Sequence, residues 1–252
     1  MSLIDVTVHG QIHELRLARP PVNALNPDLC KALTAALGEA IAQGGRGIVL
    51  AGGPKVFSAG LDVPHLLSLG DDQDALLAAW TAFFEAARAL AASPVPVVAA
   101  MAGHAPAGGC VLALCCDYRI MAEGPYRIGL NETQVGLVAP EGIQSLMARA
   151  VGAHRSERLL VAGAMPEADE ALRIGLVDEL TDIDAVATRA RAWLQDLLQL
   201  PQMPMLATRA IARAAVVDCL SDARIDLPRF VAQWSHPDTQ AALRAMLAKI
   251  GK

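Results

Sequence analysis

The sequence predicts an α/β layered fold closed off by a helical tail. Short apolar runs with strand character return along the chain, segments with helical spacing separate them, and from Glu167 onward the pattern turns almost wholly helical. With 252 residues, 54% hydrophobic and 19% charged, the chain can bury a sizeable core and is not disordered. Its 21 Lys+Arg against 26 Asp+Glu leave a net charge of −5 with no basic run, which argues against nucleic acid or an anionic membrane as a partner.

Val6-Thr7-Val8 and Ile12 to Leu17 alternate around Gly10-Gln11 as a hairpin would. Asn26-Pro27-Asp28 supplies a cap, a first-turn proline and an early acid for a helix carried by Leu29, Leu33, Ala36, Leu37 and Ile41 and ended by Gly44-Gly45. Ile48-Val49-Leu50 reads as a strand, followed by a turn at Ala51 to Pro54 and a loop from Lys55 to Pro64. Asp71-Asp72 caps a long helix to about Ala92, and Val95 to Met101 is a buried strand. A Gly-rich turn leads into a helix over Gly108 to Cys115, then strands at Tyr118 to Met121 and Tyr126 to Ile128. The tail reads as helices at Ala185 to Leu198, Met205 to Val217, Leu220 to Trp234 and Pro237 to Lys249.

The most apolar stretch, Val95 to Ala122, is interrupted by His104, Pro106, Asp117 and Arg119 and by three glycines, so it is core and not a membrane span. The first residues show no secretory signal. Five cysteines, Cys30, Cys110, Cys115, Cys116 and Cys219, sit among apolar neighbours without CxxC spacing and read as reduced core residues of a cytoplasmic protein. His9 and His13 straddle the hairpin turn with no cysteine or carboxylate at ligand spacing, which makes them a solvent-facing pair and no metal site.

GxxxxGK[ST], GxSxG, HExxH and a GxGxxG after a strand are all absent. Two glycine turns remain, Phe57-Ser58-Ala59-Gly60-Leu61-Asp62 and Ala105-Pro106-Ala107-Gly108-Gly109-Cys110. Each alone is a tight turn; together they offer backbone N–H groups suited to a developing oxyanion. Glu132 follows a strand in an apolar segment where a carboxylate pKa would be raised, the condition for proton transfer. The plainer reading of Glu132 is an acid at a helix start.

These blocks, preceded by Arg19-Pro20-Pro21-Val22-Asn23-Ala24-Leu25 and followed by Cys116-Asp117-Tyr118-Arg119-Ile120, resemble in order and spacing those of the crotonase (enoyl-CoA hydratase/isomerase) superfamily. Ile128-Gly129-Leu130-Asn131-Glu132-Thr133-Gln134, with Gly136 and Ala139-Pro140, is most similar to the mitochondrial-type 3,2-trans-enoyl-CoA isomerases. The resemblance implies a spiral of ββα units over residues 1–198 and a C-terminal helical oligomerisation region over residues 199–252, giving a homotrimer or a dimer of trimers. It implies that the Leu61 and Gly108 N–H groups hold the thioester carbonyl and that Glu132 is the catalytic acid/base. Ala59, Gly60, Leu61, Asp62, Gly108 and Asn131 would contact the acyl-CoA. No metal or redox cofactor is implied, since CoA is part of the substrate. The implied setting is fatty acid β-oxidation.

Departures from the hydratase pattern narrow the subclass. Hydratases of the family carry a first glutamate three residues after the second oxyanion glycine; here that position is Val111. Their Pro-Gly-Ala-Gly-Gly turn is Ala139-Pro140-Glu141-Gly142-Ile143, where Pro140 has no N–H to offer a water. One carboxylate suffices to shuttle a proton between two carbons, so the expectation is 3-enoyl-CoA to 2-trans-enoyl-CoA isomerisation. The alternatives are another crotonase-type reaction such as hydration, with Glu141, Asp62 or His65 assisting, and a non-catalytic acyl-CoA-binding member of the fold. Asp62 otherwise reads as a turn cap, His65 as an exposed loop residue and Glu141 as a solvent-facing helix acid. Trp80, Phe83 and Phe84 read as core or acyl-tunnel lining.

Overall fold

The computed structural model describes residues 2–250; positions 1 and 251–252, the outer ends of the two expected regions, lie outside them. Strand β1 (Ile4–His9) pairs antiparallel with β2 (Ile12–Leu17), Ile4 opposite Leu17 and His9 opposite Ile12, around Gly10 at φ +64°. Helix α1 (Pro27–Ala42) starts as expected, with the Leu29 N–H donating to Asn26 Oδ1 at 2.9 Å. After β3 (Gly47–Ala51) the segment expected as a loop ends in a short helix, α2 (Val63–Ser68), because Asp62 accepts from the His65 N–H at 3.0 Å and proline follows inside the first turn. Asp72 caps α3 (Gln73–Ala91) in the same way. The chain continues through β4 (Val97–Met101), β5 (Ala105–Pro106), α4 (Gly108–Leu114), β6 (Tyr118–Ala122) and β7 (Ile128–Gly129). The expected strand at Tyr126 to Ile128 is thus reduced to two residues shifted toward Gly129.

A one-turn 3₁₀ segment, Glu132–Val135, precedes α5 (Glu141–Val151), α6 (Ala153–Ala162) and α7 (Ala168–Arg173). Next comes β8 (Glu179–Thr181), which corrects the expectation that the chain after Glu167 adds no sheet. It pairs parallel with β6, Leu180 opposite Met121. Three residues with a single leucine carry no periodicity; β8 exists because its backbone completes the ladder and Asp178 receives the Arg119 guanidinium at 2.9 Å. Helices α8 (Val186–Leu197), α9 (Gln202–Cys219), α10 (Asp222–Ile225), α11 (Leu227–Trp234) and α12 (Pro237–Ile250) complete the chain. The single helix expected over Leu220 to Trp234 is broken at Asp226, which takes φ +43° and caps α11 through the Arg229 N–H at 3.2 Å.

The main sheet has the order β1-β2-β3-β4-β6-β8, parallel beyond the opening hairpin. β3 and β4 are buried on both faces, which is why their apolar runs are unbroken. Val49, Val98 and Ile120 face Val186, Ala190 and Leu194 of α8 on one side; the larger core lies on the other, against α1, α3 and α4. Successive turns of chain also stack through short parallel contacts, Leu25 with Leu61, Val56 with His104, and β5 with β7. This is the spiral of ββα units that the resemblance implies. Among the described residues no helix is long and apolar enough to cross a membrane.

Burial inside the sheet also corrects the reading of His9 and His13. β2 lies second in the sheet and is covered on both faces, so His13 is buried, and His9 is half-buried with its Nε2 3.8 Å from Glu14 Oε2. Glu14 itself is buried and accepts from Arg16 at 2.6 Å and Arg191 at 2.8 Å. The five cysteines are free and buried.

Candidate active site

The two glycine turns meet. A side chain on Gly108 would begin 3.3 Å from the Gly60 Cα, 3.1 Å from Leu25 Cδ1 and 3.2 Å from the Phe83 ring. Gly60 holds φ +82°, and a side chain there would begin 3.1 Å from the Gly108 nitrogen, so neither turn tolerates a larger residue without displacement. Leu25 and Leu61 form a parallel bridge in which the Leu25 N–H donates to Gly60 O at 2.8 Å and the Asp62 N–H to Leu25 O at 3.1 Å. Alternation along an extended chain then turns the Leu61 N–H the other way, and it finds no acceptor among the described residues.

Gly108 opens α4, where the first N–H groups have no helical partner. Ala107 before it sits at φ +45°, ψ −117°, a conformation unusual for a residue with a side chain, and is tied down by its N–H to Gly129 O at 2.8 Å. Buried polar links lock the first turn as well: Ser58 donates to Asn23 O at 2.8 Å and Asn23 Nδ2 to Phe57 O at 3.1 Å. These two scaffold residues carry no signal in the sequence beyond their place in the blocks.

Glu132 begins the 3₁₀ turn after β7, which satisfies both of its sequence readings, strand-end acid and helix-start acid. It lines the same cavity as Leu61 and Gly108, a space of about 610 Å³. Its Oε2 is shut off from solvent and has no hydrogen-bond partner among the described residues. Burial pushes its carboxyl up to about 7, with only its own backbone N–H opposing. Asn131 also lines the cavity, and its Oδ1 is likewise buried without a partner. Two orphaned acceptors in one cavity mark a place where a ligand supplies what the chain does not.

The remaining candidates sort by geometry. Ala59, Leu61 and Asp62 line the cavity; Gly60 supplies the turn behind them. Asp62 is buried, caps α2 and accepts from Arg19 at 2.6 Å, so its charge is already matched, in keeping with the turn-cap reading. Val111 and Pro140 face the cavity. Glu141 and His65 are not among the lining residues: Glu141 is exposed and paired with Arg224 at 3.0 Å, and His65, expected in an exposed loop, is half-buried in α2.

Trp80, Phe83 and Phe84 line the cavity while being almost wholly buried, so core and lining are one role here. They continue into Phe230 and Trp234 of α11 by edge-to-face contacts, Trp80 to Phe230 at 4.4 Å and Trp80 to Trp234 at 5.8 Å. Arg19, Phe230, Trp234 and Met246 also line the cavity but were not singled out as site residues from the sequence. For the tail residues the only available signal was the apolar face that Phe230 and Trp234 share at helical spacing.

The arrangement places one unpaired carboxylate, two free N–H groups and an apolar wall around one cavity, enough to move a proton beside a carbonyl whose oxygen is held. Spiral and cavity together define the crotonase class of α/β folds. The sequence profile of the enoyl-CoA hydratase/isomerase family matches residues 7–249, and the chain belongs to that family of enzymes. The mitochondrial enoyl-CoA delta isomerase 1 of Mus musculus is 35% identical over 98% of this chain and 86% of its own length. A probable enoyl-CoA hydratase of Mycobacterium avium is 35% identical over 85% of this chain and 79% of its own. The crystal structure of human mitochondrial delta3-delta2-enoyl-CoA isomerase superposes with a TM-score of 0.93 at 31% identity, covering 99% of this chain and 98% of that one.

Proposed function

We propose that the protein is an enoyl-CoA isomerase that moves the double bond of a 3-enoyl-CoA to the 2-trans position. One observation carries the reading: among the described residues, Glu132 is the one carboxylate lining the cavity that lacks a cation partner, and Val111 occupies the position of the hydratase glutamate. Glu132 takes a proton from C2; the electron pair left behind delocalises onto the thioester oxygen, held by the Leu61 and Gly108 N–H groups. The protonated Glu132 then delivers the same proton to C4, and the double bond lies between C2 and C3. Atoms and charge balance without water, metal or redox cofactor. Ala59 to Asp62 and Asn131 contact the CoA thioester.

Both isomerases and hydratases appear among the relatives, so the number of working carboxylates separates the readings. Fatty acid β-oxidation is the setting for such a shift, since 3-enoyl thioesters must become 2-enoyl before they can be hydrated. The buried thiols suit a reducing compartment such as the cytoplasm. The exposed apolar stripe of α9, Met203, Ala207, Ile211 and Ala214, suits contact with further copies in a homotrimer or a dimer of trimers. The test is conversion of 3-enoyl-CoAs of graded length, followed by the absorbance of the conjugated 2-enoyl thioester. Wild type should turn over, and Glu132→Gln should lose at least a thousandfold in rate while still binding acyl-CoA. Residual turnover within about tenfold of wild type, roughly 1.4 kcal/mol in barrier, removes Glu132 from the base role.

A further inference from the structure

We infer that Thr239, on the last helix, is a positioning residue for Glu132, which makes seating of α12 part of the catalytic apparatus. The inference rests on Glu132 being the base. Because the Glu132 carboxylate has no side-chain partner to aim it, its position is set by the backbone turn that carries it. That turn closes when the Leu137 N–H donates to Glu132 O at 3.0 Å and the Gly136 N–H to Thr133 O at 3.2 Å, with Gly136 left-handed at φ +74°.

From outside, two elements hold the turn. α6 and the residue after it do so through an exposed bond from Thr133 Oγ1 to Leu160 O at 3.2 Å and a part-buried one from Gln134 Nε2 to Gly163 O at 2.9 Å. α12 does so from a buried position: Thr239 is 4% exposed, and its hydroxyl donates to Gly136 O at 2.6 Å. The fit leaves no slack, since a side chain on Gly136 would begin 3.1 Å from Thr239 Cα and 3.2 Å from Ala242 Cβ. Two turns further along the same helix face, Met246 lines the cavity, and Leu243 between them is fully buried. One helix thus fixes the height of the proton-transferring group and part of the wall the acyl chain meets.

The charged groups near Glu132 do not substitute for this link. Arg19 and Asp62 line the same cavity but pair with each other, and the Cys110 thiol of α4, pushed up by burial and then by Glu132, is neutral. On α12 itself Asp238 faces His236 at 3.7 Å, exposed.

Thr239→Val keeps the shape of the side chain and removes the donor, and Thr239→Ser restores the donor on a smaller side chain. Each is measured beside wild type and Glu132→Gln for kcat, KM and the pH profile of kcat. A base displaced by a fraction of an ångström loses rate steeply, so Thr239→Val should lower kcat about tenfold or more with KM within about threefold. The acid limb of its profile should move to lower pH as the loosened turn admits water to Glu132. Thr239→Ser should recover kcat to within about threefold. Thr239→Val with wild-type kcat and profile overturns the inference, as does a loss that serine fails to restore or one that appears equally in KM. Should Thr239→Val not fold, as seen by circular dichroism, Thr239→Ala is read against Thr239→Ser by the same criteria. An active Glu132→Gln would instead remove the base assignment itself.

Discussion

At the scale of the residue, the burial of the Glu132 carboxyl costs stability once it ionises. Its carboxyl stands at about 7 in the folded chain against 4.5 ordinarily, raised by burial. Between those values the native state holds a proton that the unfolded chain has released, so stability falls as pH rises from about 4.5 to 7 and the loss is complete above 7. The difference corresponds to on the order of 3 kcal/mol. Glu132→Gln removes this penalty: in urea melts at fixed protein concentration it should match wild type near pH 4, below the ordinary value, and exceed it at pH 8. Parallel curves for the two proteins would mean that Glu132 is hydrated in the native state. Val111 gives the converse experiment, because it is 2% exposed and lines the same cavity. Val111→Glu puts a second carboxylate near Glu132, and two such groups share a proton, as acid/base work on water requires. Weak hydration of 2-enoyl-CoA should appear, with lowered stability from burying the acid. Hydration by wild type at a rate comparable to isomerisation would defeat the single-carboxylate reading.

At the scale of the element, α4 is held at both ends by different parts of the chain. Its first residue meets the Gly60 turn, while the carbonyls just past its end are taken by α9: Arg213 donates to Cys115 O at 2.6 Å and to Cys116 O at 3.2 Å. Asp117, beside those carbonyls, accepts from Arg209 at 2.7 and 2.8 Å and from the Val97 N–H at 2.8 Å. The Arg213 Nε also lies 3.3 Å from Asp117 Oδ1, so Arg213→Met should cost about 3 kcal/mol in denaturant unfolding, near the low end for a broken buried pair because Arg209 still neutralises Asp117. Arg127→Met, which breaks an exposed pair with Glu167 at 2.8 Å, is the control and should change stability by less than about 1 kcal/mol. Equal effects would show that the α9 contact with α4 is incidental. None of this was legible in the sequence: Arg209 and Arg213 fall within the helix expected at Met205 to Val217 with nothing to mark them, and only their approach to a segment almost a hundred residues earlier gives them a task.

At the scale of the whole molecule, the exposed stripe on α9 is the feature one chain leaves unused; Met203 is 77% and Ile211 80% exposed. Light scattering on the purified protein should report a trimer or hexamer, and a clean monomer at micromolar concentration would contradict the assembly proposed for this helix. The alternation in β1 and β2, the caps at Asn26 and Asp72, the unbroken apolar runs of β3 and β4 and the glycines at 60 and 108 were all legible, since each is dictated by local backbone geometry or by a period of two or 3.6. So was Glu132, as an acid stranded among apolar residues. What the sequence could not determine lay in contacts between distant segments. β8 has too few residues to show a pattern and forms because β6 offers it an edge. His13 looks like a turn residue until α1 and α8 cover β2, and Asp226 breaks a run of helical spacing for a reason visible only in its αL backbone. The cavity wall at Phe230, Trp234 and Met246 comes from a tail that its sequence presents as a separate helical region. Local propensity reads along the chain, whereas a site of this kind is assembled across it; the sequence by itself therefore determined the two turns and the acid proposed as the base, and the tertiary structure decided what surrounds and holds them.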